Sequence, residues 1–318
     1  MSDNGGGHAE HSTKAVLAAF FANLGIAIMK FIGWAFTGSG AMLAEAVHSV
    51  ADTGNEFLLL LGGRRSRRPA TDTHQFGHGR ERYFWAFVVS LLLFSVGALF
   101  SIFDGIEKLL NPHELESPQW AIAILLGAFV LESFSFHTAI TEARKVKGDE
   151  SWWRFIRIAK NPELPVVVLE DLAALTGLTI ALGAVITATI TDNSAYDAIG
   201  SLAIGVLLGI VATILAIEMK SLLLGEAANP AVQRRIVAAI EGADRVNRLI
   251  HLRTEHLGPD ELLVAAKIEF DNALSIRELA DVVNEVERAV RNEVPEASVM
   301  YLEPDVLRAP PGAASDEQ

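Results

Sequence analysis

The 318-residue sequence combines 51% hydrophobic residues with a formal net charge of -13, so we expect a membrane-embedded part and an acidic soluble part. The acidic balance leaves no basic stripe that would neutralise phosphates, which excludes nucleic acid as a partner. The absence of cysteine excludes disulfides, thiolate metal sites and thiol nucleophiles.

The first 13 residues are polar, and we expect a disordered tail over residues 1–13. Six apolar stretches follow, each close to the roughly 20 residues that a helix needs to cross a bilayer. They cover residues 14–36, 41–62, 83–109, 119–143, 164–190 and 196–224. The sequence therefore predicts an α-helical membrane protein with six transmembrane helices, in a domain that spans residues 14–225.

Basic residues are concentrated in two of the connections. The loop after the second stretch holds six arginines between positions 64 and 82, and the loop after the fourth holds six Lys or Arg between 144 and 160. Because cytoplasmic loops carry the excess of positive charge, both termini are expected in the cytoplasm. We predict a multi-pass protein of the cytoplasmic (plasma) membrane.

Residues 226–306 change to a soluble pattern. A helix is expected over 230–241, alternating strands over 246–255 and 262–270, a helix over 276–292 and a short strand over 298–302. Ser275 and Glu278 form a capping-box signature. The order αββαβ predicts a small α+β, ferredoxin-like cytoplasmic domain, followed by a disordered tail over 307–318.

The second hydrophobic stretch carries a polar stripe. Glu45, His48, Asp52 and Glu56 follow each other at spacings of three, four and four, which places them on one helix face. An ionisable group in hydrocarbon costs about 2.5 kcal/mol or more, and such groups usually face a pathway. His48 and Asp52 lie one turn apart and can converge on one metal ion, although a structural pair between helices would have the same spacing.

Polar residues also interrupt three other stretches. The fifth carries Glu170 and Asp171, and Asp171 lies at a depth that matches Asp52, so two carboxylates can neutralise a divalent ion. The fourth carries Glu132, which is open to a role as ligand, proton site or structural group. The first carries Asn23, for which an interhelical hydrogen bond is the alternative to a ligand role.

A further cluster lies in the loop before the third stretch, where Asp72, His74 and His78 occur within seven residues. Two imidazoles and a carboxylate can hold a metal ion, so the spacing allows a second metal site. A loop that turns and caps a helix would use similar residues.

Two of these segments resemble the cation diffusion facilitator family of metal ion/proton antiporters. Residues 37–52 are similar to the family's second-helix signature, and residues 74–80, HQFGHGR, resemble its loop motif. Residues 166–174, VVVLEDLAA, look most like the branch that contains the animal mitochondrial zinc transporter. That resemblance implies a homodimer, Zn²⁺ as the transported substrate and protons as the counter-ion.

The resemblance also implies a metal site between the second and fifth helices, with ligands at His48, Asp52 and Asp171. Val167 occupies the position of a family histidine, so the fourth donor is expected from water, Glu132, Glu170 or Asn23. In the tail, His251 matches a family metal-site position and His256 lies nearby, but most of the histidines of that site are missing.

The function predicted from these features is proton-coupled efflux of a divalent metal by alternating access. Mixed nitrogen and oxygen ligands also suit manganese, cobalt, nickel or iron. An intramembrane metalloenzyme is an alternative, although HExxH is absent and no Ser or Cys nucleophile lies beside a base. A non-transporting assembly or sensor protein is disfavoured by the buried stripe.

Overall fold

The chain folds into two compact units that divide between Leu223 and Leu224. The structure is a computed structural model that describes residues 4–37, 40–112 and 118–307. The division lies two residues before the predicted domain boundary at Glu226.

The first unit is helical. Its elements are α1 (Asn4–Thr37), α2 (Gly40–Ser66), α3 (Glu81–Leu92), a π-helical segment (Leu93–Leu99), α4 (Phe100–Leu110), α5 (Pro118–Lys147), α6 (Trp152–Ile158), α7 (Glu163–Thr191) and α8 (Ala195–Leu224). The segment over residues 1–13, expected to be a disordered tail, overlaps α1, which begins at Asn4. Polar composition indicates that a segment lies outside the bilayer, but a long helix can extend past the hydrocarbon layer into water.

Five helical segments within the described residues are long and apolar enough to cross a membrane. They are Lys14–Ile32, Glu81–Leu110, Pro118–Lys147, Glu163–Thr191 and Ala195–Leu224. Large apolar side chains such as Phe103, Val130 and Ile190 are more than 60% exposed, whereas Asn55, Glu56 and other polar groups are buried. This inverted distribution is expected of a protein surrounded by lipid rather than water.

Helices α1, α2, α5 and α7 form the bundle that contains these buried polar groups. α1 packs against α2, α5 and α7, and α5 packs against α7. A Cβ atom at Gly25 would lie 3.5 Å from Leu131 Cδ1, and one at Gly127 would lie 3.6 Å from Met29 Cε. Because the higher number on α1 meets the lower number on α5, the two helices are antiparallel.

A close contact joins α4 to α8. A Cβ atom at Gly105 would lie 2.7 Å from Leu202 Cγ, so a larger residue would push the two helices apart. Next to this contact, Lys108 Nζ lies 2.7 Å from Asp104 Oδ2 and 3.0 Å from Asp197 Oδ2. Lys108 thus ties the two helices together electrostatically.

The second unit contains α9 (Pro230–Glu241), β1 (Val246–Gly258), β2 (Glu261–Phe270), α10 (Ile276–Glu293) and β3 (Val299–Pro304). The order αββαβ is the predicted one. The strands form a sheet in the order β1-β2-β3, in which β1 and β2 are antiparallel and β2 and β3 are parallel.

The core of the second unit lies between one face of the sheet and the two helices. Every second residue of β2 from Leu262 to Phe270 is buried, and these side chains pack with Ile236 of α9 and Val286 of α10. The predicted capping box is present at the start of α10. Ser275 Oγ accepts a hydrogen bond from the Glu278 backbone N–H, while the Glu278 carboxylate accepts one from Ser275.

Candidate metal centre

The polar positions of four helices meet inside the bundle of the first unit. Helical periodicity directs them inward, while residues such as Phe57 on α2 and Phe134 on α5 point outward and are exposed. The buried polar side chains are Asn23 and Lys30 on α1, Asn55 and Glu56 on α2, Glu132 and Ser135 on α5, and Glu170 and Asp171 on α7. Asp52 on α2 is half-buried.

Three hydrogen bonds between helices hold the buried carboxylates. The first is donated by Asn23 Nδ2 to Glu56 Oε1 over 2.9 Å, and the second by Asn55 Nδ2 to Glu170 Oε1 over 3.0 Å. The third is donated by the hydroxyl of Ser135, whose Oγ lies 2.9 Å from Asp171 Oδ2. Donors to charged acceptors make the stronger hydrogen bonds, so the three contacts fix the carboxylates in place.

The adjacent acids Glu170 and Asp171 point towards different neighbours. Glu170 contacts α2 through Asn55, whereas Asp171 contacts α5 through Ser135. The turn of about 100° between consecutive helical residues accounts for this divergence. Val167, at the position of the family histidine, is fully buried among apolar side chains.

Two of the carboxylates keep one oxygen without a hydrogen bond. Within the described residues, Glu56 Oε2 and Glu170 Oε2 are buried and lack a partner. An unsatisfied buried acceptor is costly, and native structures usually supply a partner from a proton, water or an ion. These two oxygens are therefore suited to hold a proton or contribute to cation binding.

Asp52 lines a cavity between α2 and the π-helical segment. The other lining residues are Gly54, Asn55, Phe57, Leu58, Leu92, Leu93, Val96 and Gly97. π-helical turns inside α-helices occur frequently at functional sites. The cavity places the half-buried carboxylate of Asp52 beside such a turn.

The imidazole of His48 lies outside the described side chains, as does the side chain of Glu45. The predicted pairing of His48 with Asp52 thus stays a prediction. Within the part of the chain that the structure describes, no three His, Asp or Glu side chains lie close enough together to hold a metal ion. Glu132, Glu170 and Asn23 all face the bundle interior, but Asn23 and Glu170 are engaged in hydrogen bonds with other side chains.

The loop before α3 brings two of its three predicted residues together. The ring centroids of His74 and His78 are 4.7 Å apart, and His78 Nδ1 is buried without a hydrogen-bond partner among the described residues. His74 Nδ1 lies 3.2 Å from Thr73 Oγ1. Asp72 is exposed, and the loop site stays a prediction.

The two histidines of the tail are not brought together. His251 and His256 are five residues apart on β1, so they point to opposite faces of the sheet. His251 is exposed and its Nε2 accepts a hydrogen bond from Arg253 Nε over 2.9 Å, whereas the His256 side chain is buried. This geometry does not favour a shared ion.

Sequence reasoning missed three polar groups that face the centre. Asn55 lies three residues after Asp52 on the stripe face, so helical spacing would have included it. Ser135 lies three residues after Glu132 and carries the same signal. Lys30 lies seven residues after Asn23, two turns along the same face of α1.

Buried carboxylates inside a helical bundle with an apolar outer surface define a membrane protein that handles cations. Comparison with protein families agrees with this class. The model of the cation efflux transmembrane domain matches residues 16–224, and that of the cation efflux protein cytoplasmic domain matches residues 228–303. The chain therefore belongs to the cation efflux family, the cation diffusion facilitators, whose members are transporters and not enzymes.

Curated relatives include the mouse protein named proton-coupled zinc antiporter SLC30A9, mitochondrial, which is 33% identical over 83% of this chain and 47% of its own length. The metal tolerance protein C4 of Arabidopsis thaliana is 30% identical over 84% of this chain and 59% of its own length. The cation-efflux pump FieF of Pectobacterium atrosepticum is 27% identical over 94% of both chains. The chain spans about half the length of the antiporter relatives it matches.

Proposed function

We propose that this chain exports a divalent transition-metal ion, zinc in the first place, in exchange for protons. The observation that supports this most is a group of five carboxylates inside a bundle with an apolar outer surface, from Asp52, Glu56, Glu132, Glu170 and Asp171. Such a concentration of acidic groups in a membrane domain is suited to bind a cation that passes through it. The relatives named as zinc antiporters support zinc as the substrate.

The transported ion would be held between α2 and α7 by His48, Asp52 and Asp171. Asp52 and Asp171 supply the oxygen ligands, and His48, one turn before Asp52, supplies a nitrogen. Ser135 donates to Asp171 and orients it, as hydrogen-bond donors around metal sites commonly do. The fourth donor is water or Glu132, because Glu170 is already directed towards Asn55.

Coupling to protons follows from competition for the same lone pairs. A carboxylate that binds a metal ion must be deprotonated, so metal binding releases protons and protonation releases metal. If the bundle opens alternately to the two sides, one shared site exchanges the ion for protons without a separate proton channel. The helices α2 and α7, joined by Asn55 and Glu170, would move together in that step.

The helix α2 is proposed as a sixth membrane span. Its 27 residues are about 40 Å long at 1.5 Å per residue, which exceeds the hydrocarbon thickness. Val50 and Phe57 are at least half exposed on its outer side, while Asn55 and Glu56 are buried on its inner side. An even number of spans places both termini on the same side, and the arginine-rich loop after α2 assigns that side to the cytoplasm.

Two further properties belong to this proposal. The cytoplasmic domain of the second unit would join two copies of the chain, as the resemblance implied for a homodimer. The cytoplasmic (plasma) membrane stays the predicted location, although the antiporter relatives are named mitochondrial. Crosslinking in native membranes tests the dimer, and membrane fractionation tests the location.

The decisive experiment is metal flux in proteoliposomes that contain the purified full chain. With an acidic lumen, zinc uptake should exceed that measured at equal pH on both sides, and adding a protonophore should abolish the difference. Manganese, cobalt, nickel and iron are compared in the same assay, because mixed ligands suit several of these ions. Equal initial rates with and without the gradient would contradict antiport.

Topology can be tested on the same protein. The chain contains no cysteine, so single cysteines can be introduced without removing native ones. Impermeant thiol reagents should label a cysteine at Ser66 from the cytoplasmic side and one at Asn111 from the opposite side. Labelling of both from one side would contradict the six-span arrangement.

A further inference from the structure

A lysine is buried in the same bundle as the carboxylates. Lys30 on α1 is 7% exposed and lies on the inner face of its helix with Asn23, Ile26 and Ala27. Ile28 is 52% exposed on the outer face. A lysine near lipid normally extends its ammonium towards the membrane surface, but this one faces the polar interior.

The geometry of α1 and α5 directs Lys30 towards Glu132. From the contacts of Gly25 with Leu131 and of Met29 with Gly127, Lys30 lies six residues, or about 9 Å, beyond Glu132 along the antiparallel axes. Side chains in a helix tilt towards the N-terminus of their own helix, so the two side chains tilt towards each other. They lie close enough for their opposite charges to attract.

The acid that attracts Lys30 belongs to a cluster of acids. The carboxylates of Asp52 and Asp171 also act electrostatically on Glu132, so Lys30 is attracted to a member of that cluster and not to an isolated acid. Of the two Lys or Arg side chains that are buried within the described residues, the other is Arg82 at the start of α3, where its Nε is 3.5 Å from Glu163 Oε1. Lys30 is thus the buried cation placed within the bundle itself.

We propose that Lys30 is a resident counter-cation of the metal site. Its ammonium attracts the carboxylate of Glu132 and offsets part of the acidic charge while the transported ion is absent. When the ion is bound, the same ammonium repels it, which weakens binding and speeds release. The inference rests on the proposed function, because it concerns the affinity of the transported metal.

A lysine suits this role physically. Its ammonium is a compact charge on a flexible side chain, so it can stay near Glu132 as the helices move. An arginine would instead present a rigid, planar guanidinium group. An ammonium cannot leave the protein with the metal, so its contribution is present in every transport cycle. Lys30 is therefore a positioning and charge-setting residue and not a ligand.

The test compares the zinc dissociation constant and the flux rate of full-length variants. In Lys30→Met, loss of the positive charge should tighten zinc binding about tenfold and lower the maximal flux, because release becomes slower. Lys30→Arg keeps the charge and should restore both quantities towards wild type. Lys14→Met is the matched control on α1, since Lys14 is exposed and lies outside the site.

A double variant separates charge compensation from ligation. Glu132→Gln alone removes the negative charge that attracts Lys30 and should weaken zinc binding about tenfold. Lys30→Met combined with Glu132→Gln removes both charges, and the dissociation constant should return towards wild type. If Glu132 is a ligand, the double variant stays weak, and the inference is wrong.

Two other results overturn the inference. An unchanged or weakened zinc affinity in folded Lys30→Met would contradict it, with folding checked by size-exclusion chromatography. If Lys30→Met does not fold, an unchanged affinity in Glu132→Gln contradicts it equally. By contrast, a wild-type protein that binds none of the tested metals overturns the proposed function itself.

Discussion

The two units of this chain differ in the polar residues that they bury and the apolar residues that they expose. In the transmembrane bundle, carboxylates and amides are inside and residues such as Phe103 are exposed, whereas the tail buries Ile236, Leu262 and Val286. Hydrogen bonds from Asn23 to Glu56 and from Asn55 to Glu170 hold buried groups in the bundle, whereas apolar contacts hold those of the second unit. The difference follows from the surroundings. Moving an apolar side chain out of water into the protein lowers the free energy, whereas moving it out of lipid does not, because lipid tails are themselves apolar.

The comparison also separates function from stability. The second unit has an apolar core that would stabilise a small domain in water, and its charged residues lie mostly at the surface. The bundle places charged groups where each one costs free energy. A costly arrangement of that kind is retained for a task, and we propose that in this chain the task is cation transport.

The largest effect is expected for the acid that faces α5. Asp171→Asn removes one negative charge and one proposed ligand, so metal flux should fall to the level of empty liposomes. Ser135→Ala removes only the hydrogen bond to Asp171. Loss of a residue that hydrogen-bonds to a metal ligand typically weakens metal affinity about 10- to 100-fold, so we expect a loss of that size. A normal rate in Asp171→Asn would remove α7 from the metal site.

The second prediction compares the effect of replacing an exposed apolar residue by lysine in each of the two units. Val130 on α5 is 67% exposed and Ile276 on α10 is 89% exposed. Val130→Lys should cost about 2.5–3.5 kcal/mol on insertion scales, because the charge would face lipid. Ile276→Lys should leave the stability of the tail nearly unchanged. The amount of membrane-inserted protein, measured after carbonate extraction, should fall only for Val130→Lys.

A third prediction adds a polar group to the bundle. Val167 is fully buried on α7, at the position of a family histidine. Val167→His should tighten zinc binding about tenfold if the imidazole reaches the ion, since a nitrogen ligand would replace a weaker donor. Titration with a competing chelator measures this affinity, and Val168→His serves as the control one residue further along α7. Equal affinities of the two variants would place Val167 away from the ion.

The smallest effect is expected at the cap of α10. Ser275→Ala should destabilise the start of this helix by about 1 kcal/mol. Hydrogen exchange in the full chain should show faster exchange at Glu278 and Leu279, while α9 stays unchanged. No change in exchange would mean that the cap contributes nothing to the helix.

The same cap makes the stability of the start of α10 depend on pH. The hydrogen bond from Ser275 lowers the pKa of Glu278 below its ordinary value. A lowered pKa in the folded state means that the stabilisation is present above the ordinary pKa of Glu and is lost as pH falls through the lowered value. Protection of α10 should therefore decrease on acidification in wild type and less so in Glu278→Gln.

Local patterns in the sequence predicted much of this structure. The stripe of Asp52 and Glu56 followed from helical spacing alone, and the αββαβ order of the tail followed from alternation and turns. The capping box at Ser275 was predicted from two residue types and is confirmed. Each of these features depends on neighbours a few residues apart, which a sequence displays directly.

Features that depend on contacts between distant segments were not predicted. The partners of Glu56 and Glu170 are 33 and 115 residues away, and no local pattern links them. The approach of Lys30 to Glu132 depends on how α1 and α5 are aligned. The π-helical segment was also missed, because its residues are ordinary apolar ones and only the packing of the span determines its hydrogen bonds.

That π-helical segment gives the span Glu81–Leu110 some tolerance in length. A π-helical turn accommodates about one more residue than an α-helical turn, so deleting one residue between Leu93 and Leu99 would restore the ordinary turn. Because the wider turn absorbs the extra residue, the side chains beyond the deletion would keep nearly the same orientation relative to α3. Gly105 would therefore still face Leu202 across the close contact with α8. A one-residue deletion should be tolerated better within residues 93–99 than in the α-helical parts of the same span, where it would rotate the following side chains by about 100°.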